Sequence, residues 1–519
     1  MHSAKSISLS VSVECVSRLD SVFPAPATNL IRNSQKLKSY GFFVLTAEIS
    51  SNPQLYMKSL SHNTDCKTSV PFRHRKEQKR GIAKNLFMLV LLMFSSVSYA
   101  QFEHSVTEVA KLMGVGWNLG NTMEAGNNAY NFTNRGGLGA ETSWQDTKTT
   151  QAVIDYVKAQ GFRSIRIPCA WVMGHISNAT NYTIDAAWMR RVKEVVDYCI
   201  KADLYVVINQ HWDGGWLENH IDASGADIEK NTTILTTIWQ QIATAFRDYD
   251  EHLLFAGLNE PAADNKLKTK KLLDYEQAFV NAVRSTGGNN EQRILVLQGP
   301  TTNIDYTYKY YDDLPTDPTG KNRYMVEIHY YAPWQFWGME KDENWGKVFY
   351  YWGEGNHQPG SSHNPTYDCE ESYMHSQLEM MKTKFVDKGI PVIIGEFGAN
   401  WRDISNQAGE SQDKHNASIK LHYKTLCQYA LEMGLVPMMW DTNYRQPSMT
   451  IIDRKNLRIY NPYMMDGIKE AMETSSIRST SMDTPSSSSL FFDLTGRPLA
   501  NIDTAHKGIY IKDGRKFFK

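Results

Sequence analysis

Two short acidic motifs set the chemistry to look for. Leu258-Asn259-Glu260-Pro261 and Gly395-Glu396-Phe397-Gly398 each place a glutamate directly after a run of apolar residues. Two carboxylates facing each other are what cleavage of a glycosidic bond requires, one protonated to serve the leaving oxygen and one ionised. Arg166 and Tyr331 are candidate neighbours of Glu396, and a guanidinium beside a carboxylate favours its charged form, which suits a nucleophile. Glu260 is then the general acid, and afterwards the base that activates water. A separation of about 5 to 5.5 Å would give retention of configuration at the sugar. A lone glutamate at a strand end is more often a cap or an ion-pair partner. The weight therefore rests on several polar residues falling in order, each at the end of its own apolar run.

Those runs alternate with amphipathic stretches. Met113–Leu119, Ser164–Pro168, Tyr205–Gln210, Leu253–Leu258, Ile294–Gln298, Tyr324–His329, Pro391–Glu396 and Leu435–Trp440 read as eight strands. Between them, Thr149–Ala159 lines up Val153, Ile154 and Val157 on one helical face, and Trp188–Ala202 does so with Val192, Val195, Val196 and Cys199. Eight alternations predict an α/β fold, a (β/α)8 TIM barrel, with a doubly wound sheet as the alternative. In such a barrel reactive groups stand at the C-terminal strand ends. The polar residues there are Asn118, Arg166, His211, Asn259 with Glu260, His329 with Tyr331, Glu396, and Trp440 with Asp441.

Sugars present apolar CH faces, so a glycan cleft is expected to be lined by aromatic rings. Residues 330–352 are dense in them, and Trp212, Trp216, Trp334 and Trp440 are the candidate platforms near the strand ends.

With these residues in order, the sequence resembles glycoside hydrolase family 5, the endoglucanase-type barrels of clan A, over about Lys111–Met472. The segments that carry the resemblance are Gly116–Ala125, Glu141–Trp144, Gly161–Pro168, Leu258–Pro261, His329–Tyr331 and Gly395–Gly398. They are most similar to subfamily 4, the broad-specificity β-1,4-glucanases and xyloglucanases. The resemblance implies Glu260 as acid/base, Glu396 as nucleophile and Asn259 on the sugar 2-hydroxyl. It also implies Arg166, His211, His329 and Tyr331 around the innermost subsite, with Trp440 as its floor, and Asn118 at the end of the first run is a further candidate for substrate binding. Many members carry His-His after strand three, whereas here His211 is followed by Trp212. The implied function is a retaining endo-β-1,4-glucanase acting on a β-glucan polysaccharide. Hydrolysis of mannan or xylan is the alternative within the class, and a non-catalytic carbohydrate-binding barrel the alternative outside it. No cofactor and no metal are expected, since no His-Glu-x-x-His or comparable cluster occurs.

Composition bears on where the protein works. Of the 519 residues, 55 are Lys or Arg and 56 Asp or Glu, but residues 1–100 hold 13 of the former against 5 of the latter, leaving 42 against 51 in the body. An acidic body repels phosphate backbones, so nucleic acid is not an expected partner. A basic stretch from Arg73 precedes the apolar run Leu86–Phe94 and Ser98-Tyr99-Ala100, the layout of a signal peptide, with residues 83–100 as the leader. The run is shorter than the roughly 20 residues of a spanning helix, so no permanent membrane anchor is expected. Residues 1–82 are left unassigned, and a start at Met57 or nearer Arg73 would give a better-proportioned leader. The hydrolase domain is expected over 101–472, a Ser/Thr-rich linker over 473–489, and a short β-rich tail over 490–519. That tail resembles the C-terminal sorting segments of Bacteroidetes proteins exported by the type IX secretion machinery, which implies a secreted or cell-surface enzyme. Four cysteines, at 169, 199, 369 and 427, follow the expected cleavage point, with their pairing open, and the oligomeric state is open too.

Overall fold

The computed structural model describes residues 102–444 and 449–482, together with the backbone of four short strands between Phe491 and Phe518. The extension and leader expected in residues 1–100 lie outside the described residues, as does 483–490.

Eight strands close into a single barrel: β1 (Gly116–Asn118), β2 (Ser164–Ile167), β3 (Tyr205–Asn209), β4 (Leu253–Ala256), β5 (Leu295–Gln298), β6 (Tyr324–Tyr330), β7 (Val392–Phe397) and β8 (Val436–Met439). All neighbours are parallel, and β8 pairs back to β1 through Gly116 opposite Met438. Each predicted run coincides with one strand, with ends that differ by at most three residues: most are trimmed, whereas β6 and β7 run one residue past the expected end, to Tyr330 and Phe397. The exception in kind is Met113, which closes helix α1 (Val106–Met113) instead of opening β1.

Strands buried on both faces read as continuous apolar runs, and the pleat sorts their side chains between two cores. Val206, Ile208, Phe255, Leu297, Val326 and Ile394 point outward into the layer packed by the helices. Val207, Leu254, Val296, Met325, Ile393 and Met438 point inward, where Val109, Ala110 and Met113 of α1 join them. The inner positions continue upward, two residues at a time, into Asn118, Arg166, Asn209, Gln298, Glu327 and His329. The barrel interior thus changes from apolar to polar within one step of the pleat.

The outer layer comprises α2 (Gln151–Ala159), α3 (Ala186–Lys201), α4 (Ala226–Ala245), α5 (Lys266–Arg284), α6 (Ile304–Tyr310), α7 (Glu371–Lys384), α8 (Gln412–Met433) and α9 (Pro462–Met482). Helix α3 shows why they form where they do. Asp185 caps it by accepting from Ala187 N and Trp188 N, and Trp188, Val192, Val195, Val196 and Cys199 make its buried face. Helix α9 runs to Met482, so a helix occupies the first part of the stretch read as linker. The four described cysteines are buried free thiols, which closes the question of their pairing with one another. The tail strands β9 (Phe491–Phe492), β10 (Pro498–Leu499), β11 (Ile509–Lys512) and β12 (Arg515–Phe518) form a separate antiparallel sheet in the order β10-β9-β11-β12. No helix among the described residues is long and apolar enough to cross a membrane.

One irregularity positions the site. Against β6, Ile394 pairs with Ile328 but Glu396 pairs with His329, and against β8 the register shifts at the same place. One extra residue, Gly395, is accommodated as a bulge, which re-aims Glu396 into the mouth. A β carbon on Gly395 would lie 2.0 Å from Glu327 Oε1. Gly395→Ala is therefore expected to destabilise the fold by about 1–3 kcal/mol through overpacking, read as a lower midpoint in urea unfolding. An unchanged midpoint would contradict this account of the bulge.

Candidate active site

The pleat puts Arg166 on the inner face of β2, where its side chain has no solvent exposure. Nη1 donates to Asn118 Oδ1 (3.1 Å) and to Glu396 Oε1 (2.9 Å). Nη2 donates to Asn259 Oδ1 (2.9 Å) and pairs with Glu327 Oε1 (2.9 Å). One guanidinium thereby joins groups on β1, β6 and β7 and in the turn after β4.

A second cation sits above it. His329 Nδ1 is 2.7 Å from Glu260 Oε1, and Nε2 is 3.1 Å from Glu327 Oε1. Tyr331 donates its hydroxyl to Glu396 Oε2 at 3.1 Å. One carboxylate oxygen each of Glu260 and Glu396 and a ring nitrogen of His329 lie within 4.8 Å of one another. The two acids differ in access: the Glu260 side chain is 41% exposed, the Glu396 side chain 8%.

Burial opposes charge on His329, yet Glu396, Glu260 and Glu327 outweigh it and raise the imidazole to about 10. Burial likewise pushes Glu327 up, but Arg166 and the His329 hydrogen bond more than offset it, so this carboxyl stays below its ordinary range. For Glu260 the same opposition ends below the ordinary value, because His329 donates to it. For Glu396 burial prevails over His329 and Arg166, and the group ends above it. The free site therefore departs from the expectation that Arg166 alone would set Glu396 low. With carboxylates on both sides, both nitrogens of His329 act as donors, which leaves the ring no lone pair for a metal ion.

The structure brings Arg166, Asn259, Glu260, His329, Tyr331 and Glu396 together as expected. His211 lies nearby, its ring near-parallel to that of Trp440 (5.8 Å between centroids, 6°) and its Nδ1 3.1 Å from Asn209 Nδ2. Trp440 is anchored by its backbone N–H on Phe397 O, and Gly120 lets its ring lie close, since a β carbon there would be 3.0 Å from it. Trp212 and Trp334 are exposed at the rim. Two expectations need correction. Asn118 is not placed to bind substrate: it is fully buried, Nδ2 donates to Gly395 O and Met438 O, and Oδ1 is taken by Arg166. Trp216 is no platform either, because it packs into the core beside Leu217 and Ile221 as the anchor of its loop.

Three polar residues of this site escaped the sequence reading. Glu327 is fully buried and holds both cations, and Gln298 Nε2 donates to its Oε2 at 2.8 Å. Their signal was period two: each stands on an inner position of an apolar strand, Glu327 two residues before His329. Glu218 was missed because it lies in a loop, in a single turn (Glu218–His220), with no periodicity to mark it. Its Oε2 accepts from Glu260 N (3.0 Å) and Asn259 Nδ2 (3.2 Å).

A closed parallel barrel whose mouth holds two carboxylates this close, with a cation against each, defines a class of enzyme, the glycoside hydrolases. Comparison with known proteins narrows it. Residues 125–446 match the family model described as cellulase, glycosyl hydrolase family 5. Endoglucanase A of Paenibacillus barcinonensis is 35% identical over 389 residues, 71% of this chain and 90% of that protein. A xyloglucan-specific endo-β-1,4-glucanase of Bacteroides ovatus is 34% identical over 351 residues, 65% of each protein. Among solved structures, XEG5B, a xyloglucan-specific β-1,4-glucanase from a ruminal metagenomic library in complex with XXLG, is 45% identical with a TM-score of 0.63, covering 71% of this chain and 96% of that one. The chain belongs to glycosyl hydrolase family 5.

The electrostatics have a direct check. Glu327→Gln removes a negative charge from His329 Nε2 while keeping the shape, so the imidazolium is expected to lose its proton about one pH unit lower or more, followed by NMR of the ring. An unmoved titration would mean that Glu327 does not hold the charge on His329.

Proposed function

We propose that this protein is a retaining endo-β-1,4-glucanase that hydrolyses β-glucans, xyloglucan among them. The observation that carries the reading is the separation of Glu260 and Glu396, whose nearest oxygens lie within 4.8 Å. That is short of the roughly 6.5–9.5 Å an inverting pair needs to hold water between its acids. It suits attack by one carboxylate directly on the sugar.

Glu396 is the nucleophile. Arg166 and Tyr331 occupy its two oxygens from within the barrel and fix the direction of attack. Burial that raises its basicity also raises its nucleophilic strength, and the two hydrogen bonds favour the ionised form. As its oxygen bonds to the anomeric carbon, the bond to the leaving sugar oxygen breaks and that oxygen takes a proton from Glu260. In the free site this proton rests on the imidazolium of His329, hydrogen-bonded to Glu260 at 2.7 Å. Bound glycan excludes water, disfavours the ion pair and moves the proton onto the carboxyl. In the second step Glu260 takes a proton from water, whose oxygen displaces Glu396 from the glycosyl ester. Asn259, fixed by Arg166, faces the 2-hydroxyl, and Trp440 forms the floor.

Cleavage within a chain needs room on both sides of the acid pair. A cavity of about 190 Å³ lies beside Glu260, lined also by Asp305, Tyr331 and Tyr373. Another of about 240 Å³ lies beyond Trp212, with Trp144, Tyr130 and Asn127. The endoglucanase and xyloglucanases to which this chain is similar support the choice of β-glucan over mannan and xylan.

The test is reducing-end release from mixed-linkage glucan, xyloglucan, mannan and xylan, with only the glucans expected to be cut well. Glu396→Gln is expected to lose at least about 10³-fold in turnover on them while still binding glucan. Glu260→Gln is expected to lose far more on polysaccharide than on an activated aryl cellobioside, which needs little protonation. Equal losses on the two substrates would overturn the acid role, and near-normal turnover of Glu396→Gln the nucleophile.

A further inference from the structure

Glu218 stands outside every role assigned so far. Its loop leaves the end of β3 and is held at both ends. Asp213 accepts from Trp171 N, Val172 N and Met173 N, and Trp216, Leu217 and Ile221 are buried beneath it. From this base Glu218 reaches the turn after β4. Its carboxylate takes the backbone N–H of Glu260 and the side-chain amide of Asn259, and its backbone oxygen accepts from Ala262 N at 2.9 Å. It is 9% exposed, and among the described residues no Lys, Arg or His forms an ion pair with it. A buried carboxylate with only N–H partners is an expensive way to hold a turn, since a neutral amide oxygen could accept the same two bonds.

We infer that Glu218 is a positioning residue for the glycosidase reaction: it fixes the backbone of Glu260 and the amide of Asn259, and its negative charge keeps the transferable proton on the Glu260–His329 pair. The inference rests on the reading of Glu260 as acid.

That pair is faced by Tyr331, just beyond β6, and by His211, just beyond β3, both kept uncharged by burial, and by charged groups from three strands. His329 and Glu327 lie on β6, Arg166 on β2 and Glu396 on β7, while Glu218 approaches from the β3 loop. Arg166 works against a proton on Glu260, and Glu327 works for it. Glu218 adds to the latter side, because like charges disfavour a second ionisation. Burial, partly offset by the Glu260 N–H bond, raises Glu218 itself to about 7. Its charge is therefore absent below neutrality and present above it, where the pair begins to lose its proton. The sign follows: the charge extends the active range upward in pH.

Two substitutions separate charge from reach. Glu218→Gln keeps an acceptor and removes the charge, so the basic limb of kcat/KM on a cello-oligosaccharide is expected to move down by about one pH unit, with a plateau lowered by less than about fivefold. On 2,4-dinitrophenyl β-cellobioside, whose departure needs no proton, the basic limb is expected to stay in place. Glu218→Asp keeps the charge and shortens the reach, so it is expected to keep the wild-type limb with a plateau about 5–50-fold lower. A Glu218→Gln profile that superimposes on the wild type, or limbs that move equally on both substrates, would overturn the proposal. Should Glu218→Gln fail to fold, a Glu218→Asp limb displaced like that of a neutral residue would overturn it as well. If the unsubstituted enzyme shows the same basic limb on both substrates, the assignment of Glu260 falls and the proposal with it.

Discussion

The mouth of this barrel is organised around a guanidinium with no access to water. Arg166 cannot give up its proton, so its burial obliges the surrounding strands to supply negative charge and acceptors. Glu327 and Glu396 supply the first, Asn118 and Asn259 the second. Buried ion pairs of this kind are poor stabilisers compared with apolar packing. What the arrangement provides is position, since the two terminal nitrogens of one rigid, planar guanidinium each hold two partners, Asn118 with Glu396 and Asn259 with Glu327. The bulge at Gly395 belongs to the same arrangement. The Glu327 carboxylate fills the space a β carbon would need, and the extra residue turns Glu396 toward the guanidinium.

From that constraint the electrostatics follow. Three carboxylates around His329 make it a second cation in the free site, raised to about 10 against its own burial. The imidazolium divides the two proposed catalytic acids into unlike roles. Glu260, open to the cleft, shares its proton, and Glu396, held from within the barrel by Tyr331 and Arg166, keeps a fixed direction toward the mouth. Glu218 completes the balance from below Glu260. Two groups of one residue type thus receive opposite tasks from their surroundings alone.

Much of this was legible in the residues before any coordinates. The eight apolar runs marked the strands because parallel strands in a barrel are buried on both sides, and the polar residues gathered in the mouth followed at their ends. Arg166, Glu260, His329, Tyr331 and Glu396 were found by that rule. It failed in three instructive ways. Glu327 and Gln298 lie inside strands, where an apolar background makes one polar residue look like an exception instead of the base of the site. Asn118 sits at a strand end but spends its amide on the backbone of neighbouring strands, a distinction only pairing geometry reveals. Trp216 and Trp212 look alike in sequence, yet one anchors the loop and the other faces the cleft, because three-dimensional loop paths decide which ring is covered. Glu218 lies on such a path too.

The central claim is that Arg166 and Tyr331 hold Glu396 for direct attack on the anomeric carbon. It is tested most directly by trapping the reaction half-way with 2,4-dinitrophenyl 2-deoxy-2-fluoro-β-cellobioside, in which the fluorine slows the second step more than the good leaving group allows it to slow the first. The expected result is a stoichiometric mass increase of one fluorocellobiosyl unit, mapped by peptide sequencing to Glu396 and released with return of activity when an acceptor sugar is added. A stable adduct on another residue, or turnover that yields product of inverted configuration with no adduct, would contradict the account.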